Sequence, residues 1–222
     1  MDDLGLILFD VDGTLVDSQS EILSAMSDAF AAISRPTPSR EMILSTVGLS
    51  LDQAMMHLLP DGTDLAVITR AILAYKNSYR TSREAGAMSV TYPGIATMLA
   101  ECAQHSNWLL GLATGQSRRG VSALIDNYGW KTLFQTIQTA DDHPSKPNPS
   151  MVHAALAQTG VLRNRCIFVG DTTHDMDMAT NAGVRFIGVS WGYHSPSSFD
   201  NAYRVAESKQ SVYLAAKQWL EC

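Results

Sequence analysis

The amino-acid sequence predicts an α/β protein with an open, Rossmann-like parallel sheet and an inserted helical segment. Short apolar runs that alternate with helical patterns predict the sheet, because strands buried on both faces are apolar throughout. A stretch of about 70 residues after the first apolar run predicts the insertion, since it shows only amphipathic helical periodicity. Together the two patterns favour right-handed β-α-β units interrupted once by helices.

Five apolar runs are predicted as the strands of the sheet. They are short and rich in Val, Ile, Leu and Phe, which is typical of strands in a covered sheet. The run TIQTA is the weakest of them, because it has the fewest large apolar residues. In chain order the runs are LGLILFD (4–10), WLLGLAT (108–114), TIQTA (136–140), CIFVGD (166–171) and RFIGVSW (185–191).

Helical patterns separate these runs. They are GIATMLAECAQH (94–105), RRGVSALIDNYG (118–129), NPSMVHAALAQTG (148–160) and THDMDMATNAG (173–183). In the third pattern, Asn148 is predicted as the N-cap and Pro149 as the first helical residue, where a missing N–H is tolerated. Gly160 and Gly183 are predicted to end the third and fourth helices, because glycine adopts the left-handed conformation common at helix C-termini.

Residues 18–87 are predicted to form a separate helical domain, and residues 1–17 and 88–222 the α/β core. Turns at RPTPS, GLS and LPDGT divide the helical stretches, and about 70 residues suffice for a small domain. Asp17 and Ser18 are predicted to cap its first helix. The stretches are SEILSAMSDAFAAI (20–33), SREMILSTV (39–47), LDQAMMHLL (51–59) and DLAVITRAILAYKNSY (64–79).

Composition narrows the class of protein. Apolar residues make up 45% and charged residues 17% of the 222 residues, an ordinary balance for a globular protein with a sizeable core. The net charge of −6 argues against nucleic acid or a membrane surface as a partner. The N-terminus has no basic signal region and no apolar run reaches about 20 residues, so we expect a cytoplasmic protein. Three scattered cysteines without CxxC spacing fit a reducing compartment.

The first apolar run leads into two acidic residues. In LILFDVDGTLVDS, Asp10 and Asp12 stand two positions apart. Strand alternation would point both carboxylates to one side and Val11 to the other. Because neighbouring carboxylates repel each other, a cation is expected between them.

Further polar residues follow the neighbouring predicted strands. They are Thr114, Gly115, Lys146, Asp171 and Asp175. Ligands of open parallel sheets collect at the carboxyl ends of the strands. We therefore expect these residues to converge with Asp10 on one edge of the sheet.

Carboxylates, a hydroxyl and a lysine at one edge suit phosphoryl transfer. Mg²⁺ prefers carboxylate oxygens and also binds phosphate. Mg²⁺ and Lys146 would neutralise the transferred group, while Thr114 and backbone N–H groups would hold it. Asp10 and Asp12 suit a pair in which one carboxylate becomes an aspartyl-phosphate and the other protonates the leaving alkoxide and then activates water.

In this order and spacing, DVDGTLVDS, LATG, SKPNP and GDTTHDMDMATNAG resemble the four motifs of the haloacid dehalogenase-like (HAD) superfamily. The resemblance covers residues 4–18 and 90–222. The helical segment after the first motif is similar to the α-helical cap of the phosphoglycolate-phosphatase-like branch. The resemblance implies the HAD fold and Mg²⁺-dependent hydrolysis of a small phosphorylated metabolite, a phosphoglycolate-like phosphomonoester. We expect a monomer or a homodimer.

The resemblance also implies roles in catalysis and metal binding. Asp10 would be the nucleophile and Asp12 the general acid/base. Mg²⁺ would be held by Asp10, the backbone carbonyl of Asp12 and Asp171. Asp175 would be a further ligand or would orient one.

For the substrate, the resemblance implies that Thr114 and Gly115 bind the phosphate. Lys146 would pair with both the phosphate and Asp10. In the cap, Gly48 and Leu49 would meet the active site if their loop faces the core.

Other functions on the same fold remain open. A β-phosphoglucomutase-like mutase would use the same residues, although Thr14 in place of a bulkier apolar residue favours a phosphatase. A phosphonatase would need a lysine in the cap, where Lys76 is the only one. A dehalogenase would need neither Asp12 nor a metal. A non-catalytic binding module would be expected to lack a motif residue, and none is missing.

Overall fold

The computed structural model describes residues 4–221 and has a six-stranded parallel sheet covered by helices on both faces. The predicted α/β class is confirmed. In chain order the strands are β1 (Gly5–Phe9), β2 (Val16–Asp17), β3 (Val90–Thr91), β4 (Trp108–Thr114), β5 (Thr136–Thr139), β6 (Cys166–Gly170), β7 (Arg185–Val189) and β8 (Arg204–Ala206). The α-helices are α1 (Gln19–Ala32), α2 (Arg40–Leu44), α3 (Leu51–Leu58), α4 (Leu65–Glu84), α5 (Ile95–Ala103), α6 (Arg118–Tyr128), α7 (Ser150–Thr159), α8 (Thr173–Ala182) and α9 (Lys209–Leu220).

The strands of the sheet lie in the order β5-β4-β1-β6-β7-β8, and each neighbouring pair is parallel. The first strand of the chain therefore lies in the middle. Its side chains alternate between two hydrophobic clusters, with Ile7 and Phe9 in one and Leu6 and Leu8 in the other. Because β4, β1 and β6 are neighbours and parallel, the residues that follow them meet at one edge.

The five predicted strands are all present, and β4 has the predicted bounds. The sequence analysis did not predict β2, β3, β8 or α9. The helix α7 begins at Ser150 rather than Pro149, which is its N-cap, so the predicted start was wrong by one residue. The side chain of Asn148 nevertheless accepts a hydrogen bond from the Ser150 N–H at 3.0 Å. Gly160 and Gly183 end α7 and α8 in the left-handed conformation, as predicted.

The helices α1 to α4 pack around a hydrophobic cluster of their own, with α1 lying against α4. The chain enters this helical segment through β2 and leaves it through β3. These two short strands pair antiparallel, Val16 with Thr91 and Asp17 with Val90. The two connections therefore run side by side near the end of β1.

Two of the cysteines, Cys102 and Cys166, are buried and form no disulfide. Cys222 and the acidic residues of the N-terminus lie outside the described residues. Between residues 4 and 221, no helix combines the length and apolar character needed to cross a membrane.

Candidate active site

Three predicted site residues lie at the carboxyl ends of adjacent strands. Asp10 follows β1, Thr114 is the last residue of β4, and Asp171 follows β6. All three are buried. The predicted convergence on one edge of the sheet is therefore observed for these residues.

Asp10, Asp171 and Asp175 form a buried carboxylate cluster. One oxygen of each lies within 4.8 Å of the others. Asp175 belongs to the first turn of α8, where its side chain accepts hydrogen bonds from the backbone N–H and hydroxyl of Thr172 in a capping box. Helix capping thus fixes the direction of one carboxylate in the cluster.

Lys146 provides the positive charge beside this cluster. Its Nζ donates hydrogen bonds of 2.6 Å to Asp10 Oδ1 and 2.6 Å to Asp175 Oδ1. Only 2% of Lys146 is exposed, so burial alone would favour the neutral amine. The two carboxylates outweigh burial and raise the pKa of Lys146 above its usual value, which keeps it charged.

The cluster still has an excess of negative charge. Burial raises the pKa of Asp10 to about 7, although Lys146 acts in the opposite direction. Burial, followed by repulsion from Asp175 and Asp10, raises the pKa of Asp171 well above its usual range. Among the described residues, Asp10 Oδ2 is buried and has no hydrogen-bond partner. A set of hard oxygen donors with uncompensated charge fits a divalent cation.

Two hydrogen bonds hold the carboxylate of Asp171 in place, one from a residue earlier in the chain and one from a residue later in it. Its Oδ1 accepts a hydrogen bond from the Thr14 hydroxyl at 2.8 Å, and its Oδ2 accepts one from the Tyr193 N–H at 2.8 Å. Gly13 lies directly against the carboxylate with a φ of +83°, and a Cβ at this position would overlap it. The glycine is therefore required both by its backbone conformation and by the close approach.

The side chain of Asp12 is not part of the carboxylate cluster of Asp10, Asp171 and Asp175, although strand alternation predicted that it lies on the same side as Asp10. Gln116 Nε2 donates hydrogen bonds of 2.8 and 2.9 Å to its two oxygens, and the Ser18 hydroxyl donates one of 2.5 Å. The reason is that β1 ends at Phe9, so strand alternation no longer fixes the direction of these side chains. Burial raises the pKa of Asp12, while the bonds from Ser18 and Gln116 lower it.

The predicted capping role of Ser18 is wrong. Ser18 stands at the N-cap of α1, but its side chain makes no capping hydrogen bond. Its hydroxyl turns toward Asp12 instead, and Asp17 Oδ1 accepts a hydrogen bond from the Gln19 N–H at 3.2 Å. The Ser18 N–H is bound by the hydroxyl of Tyr193 at 2.9 Å.

Thr114 and Gly115 lie beneath the loop that joins α2 to α3. Thr114 is fully buried, and its hydroxyl accepts a hydrogen bond from the Gln116 N–H at 3.2 Å. A Cβ on Gly115 would come within 2.5 Å of the Leu49 carbonyl, and Gly48 lies against the side chain of Thr172. The loop at Gly48 and Leu49 therefore faces the core beside Gly115 and Thr172, which is the condition that the sequence analysis set for these residues to meet the site.

Sequence reasoning missed Gln116, Ser18 and Tyr193 as parts of this site. Gln116 lies two residues after Thr114, and Tyr193 lies in the segment that follows β7. The position of Gln116 beside a predicted phosphate-binding residue was an available signal. For Tyr193 the sequence offered none, because its contacts join segments about 170 residues apart.

The parallel sheet and the buried carboxylate cluster are suited to the class of enzymes that transfer phosphoryl groups. The family model for haloacid dehalogenase-like hydrolases matches residues 7–189. The chain belongs to this family.

Among its relatives is a protein of Dickeya dadantii described as "Probable phosphatase IndB", 35% identical over 86% of this chain and 83% of that protein. A phosphoglycolate phosphatase of Pseudomonas syringae is 30% identical over 85% of this chain and 70% of that protein. A haloacid dehalogenase-like hydrolase from Streptococcus pneumoniae has a solved structure with a similar fold, at a TM-score of 0.81 and 24% identity. The match covers 96% of this chain and 99% of that one. The prediction of a HAD-superfamily phosphatase is thereby confirmed.

Proposed function

We propose that the protein is a Mg²⁺-dependent phosphatase that hydrolyses a small phosphomonoester, such as phosphoglycolate, through an aspartyl-phosphate on Asp10. The observation that carries this proposal is the unpartnered Asp10 Oδ2, buried beside Lys146 and two further carboxylates. A buried carboxylate oxygen without a hydrogen-bond partner is costly unless it serves a ligand or a reaction.

In the first half of the reaction, Asp10 attacks phosphorus and the bond to the leaving oxygen breaks. Lys146 orients Asp10 through Oδ1 and faces the phosphate with its remaining N–H. Thr114 and the backbone at Gly115 bind the phosphate oxygens. Mg²⁺, held by Asp10, Asp171 and the Asp12 carbonyl, would offset the charge that develops on the phosphoryl group.

Asp12 is proposed as the general acid and then the general base. It protonates the leaving alkoxide, and in the second half it takes a proton from the water that attacks the aspartyl-phosphate. Burial supports this role, because it raises the pKa of Asp12 and so favours the protonated carboxyl that a general acid needs. Asp175 is proposed to orient Lys146 and complete the cluster, since its oxygens already bind Lys146 and Thr172.

Residues 18–87 are proposed as a cap domain over the core formed by residues 1–17 and 88–222. Their separate hydrophobic cluster and the paired connections β2 and β3 support this division. The contact of Leu49 with Gly115 supports a closed position over the phosphate site. Closure would exclude bulk water while the alkoxide leaves. Lys76 is exposed on α4, which does not favour the Schiff-base chemistry of a phosphonatase.

A panel of phosphorylated metabolites assayed with Mg²⁺ tests the proposal. Asp10→Asn should lower turnover by at least about a thousandfold, while Asp177→Asn, an exposed carboxylate on α8, should leave it unchanged. Mass spectrometry of acid-quenched enzyme should find the phosphoryl group on Asp10. Full turnover by Asp10→Asn would refute the nucleophile. Formation of glucose 6-phosphate from β-glucose 1-phosphate would favour the mutase instead.

A further inference from the structure

One face of α4 carries two tyrosines and an arginine toward the site. Tyr75, Tyr79 and Arg83 are spaced four residues apart and therefore lie on one side of the helix. The two rings stack with centroids 5.9 Å apart, and the Arg83 guanidinium lies 5.0 Å from the centroid of Tyr79. The ring of Tyr79 thus supports the guanidinium from one side.

The guanidinium reaches the core next to the proposed acid/base. Arg83 Nη1 donates a hydrogen bond of 3.0 Å to the carbonyl of Gly120 in the first turn of α6. Gly120 in turn lies against Gln116, whose Oε1 would be 2.9 Å from a Cβ placed on Gly120. Because Gln116 binds both oxygens of Asp12, the path from Arg83 to Asp12 runs through the backbone of Gly120 and the side chain of Gln116.

Arg83 is half-buried, and within residues 4–221 no carboxylate lies at ion-pair distance from it. Its charge nevertheless acts on Asp12: burial raises the pKa of Asp12, and Arg83 is among the groups that lower it. The other cation that acts on Asp12 is Lys146, which already binds Asp10 and Asp175. In a chain of net charge −6, Arg83 therefore places a positive charge close enough to Asp12 to attract an anionic group of the substrate.

We infer that Arg83 selects phosphomonoesters whose leaving alcohol carries a carboxylate close to the ester oxygen. The inference rests on the proposed function and names the substrate class of the same site. If Asp12 protonates the leaving oxygen, the rest of the leaving group must occupy the space between Asp12 and the cap. The charge of Arg83 acts on Asp12 from α4, while the guanidinium itself binds the carbonyl of Gly120. On this inference, a carboxylate one or two carbons from the ester oxygen would meet the guanidinium. A planar guanidinium suits a carboxylate because it donates two parallel hydrogen bonds.

A structural role for Arg83, as a clamp between α4 and α6, predicts a different result. Loss of a clamp would weaken cap closure for every substrate equally. Loss of a selective contact would affect only substrates that carry the carboxylate. Two esters of similar size, 2-phosphoglycolate and 2-hydroxyethyl phosphate, separate the two roles.

The test is the ratio of kcat/KM for these two esters. We expect the wild-type protein to prefer the carboxylate by about 10- to 100-fold, the range of a charged hydrogen bond. Arg83→Met should reduce the ratio to near one, mainly by raising KM for 2-phosphoglycolate, with the neutral ester little affected. Arg83→Lys should give an intermediate ratio. The control is Arg80→Met on the same helix, because Arg80 is exposed and, among the described residues, forms an ion pair with Glu84 alone.

The outcomes separate this inference from the proposed function. Hydrolysis of both esters with equal efficiency by the wild-type protein, or an equal loss on both in Arg83→Met, overturns the inference and leaves the phosphatase intact. A wild-type protein that hydrolyses no phosphomonoester overturns the proposed function itself. If Arg83→Met does not fold, Arg83→Lys decides the question, since an unchanged ratio in that variant contradicts recognition by a guanidinium fork.

Discussion

The hydroxyl of Ser18 lies 2.5 Å from Asp12 Oδ1 and 3.2 Å from the hydroxyl of Tyr193. Tyr193 in turn donates its N–H to Asp171. The proposed acid/base is therefore linked to a carboxylate of the cluster through the first residue of the helical segment. Movement of this segment relative to the sheet would change the surroundings of Asp12.

Ser18→Ala should move the pH profile of kcat upward. Burial raises the pKa of Asp12 and the hydrogen bond from Ser18 lowers it, so loss of the hydroxyl should raise this pKa further. Whichever limb of the profile reports Asp12 should shift to higher pH. Ser27→Ala, which removes an exposed hydroxyl from α1, is the control. A limb that stays in place or moves to lower pH would contradict the assignment of Asp12.

Lys146→Met should destabilise the protein by about 3–5 kcal/mol, because it leaves Asp10 and Asp175 without their counter-ion in a buried site. Adding Asp10→Asn should recover part of that loss. Urea unfolding of the two single variants and the double variant measures this coupling. Lys131→Met should cost at most about 1 kcal/mol, since Lys131 is exposed and pairs only at the surface. Equal effects of the two lysine substitutions would count against a buried charge cluster.

Without metal, the stability of the protein should fall as the pH rises from about 4 to about 7. The pKa of Asp10 is raised by burial from 3.8 to about 7, so the folded protein binds this proton more tightly than the unfolded chain does. The resulting stabilisation is complete below the unfolded pKa and is lost as the pH passes through the folded one.

Mg²⁺ should therefore raise the Tm more at about pH 8 than at about pH 5.5, because it offsets charges that exist only at the higher pH. Thermal unfolding with EDTA or with excess Mg²⁺ at both pH values measures the effect. Asp171→Asn should lose most of the Mg²⁺ response. An equal response at both pH values would show that these carboxylates do not hold the ion.

Gly13→Ala should cost about 2 kcal/mol more than Gly62→Ala. Both glycines have a positive φ, +83° and +77°, so both substitutions introduce similar backbone strain. Of the two, only Gly13 lies against a described side chain, that of Asp171. The Cβ of the introduced alanine would overlap this side chain, and such overpacking lowers the free energy of unfolding by about 1–3 kcal/mol. Denaturant unfolding compares the two variants. Equal losses would mean that Asp171 moves aside freely.

Much of the sheet could be predicted because its strands are apolar on both faces. The run 108–114 became β4 with unchanged bounds. The strand β8 and the helix α9 were missed for physical reasons. β8 has three residues, too few for a pattern, and two of the four buried residues of α9 are alanines, so its apolar stripe is weak.

For the site, Asp10, Thr114 and Asp171 were predicted to share one edge because each stands at the carboxyl end of a predicted parallel strand. The surroundings of Asp12 could not be predicted in this way. Ser18 and Gln116 reach it from a helix start and from a loop, where side-chain direction depends on contacts distant in sequence and not on periodicity.

The central position of β1 has a consequence for synthesis on the ribosome. This strand emerges first, yet the residues that pair with it follow only at 108–112 and 166–169. The helices α1 to α4 emerge in between and can bury their own cluster while β1 still has two open edges. Until those residues are made, both edges of this apolar strand are open to pairing with other chains, which makes aggregation during translation a hazard for the protein.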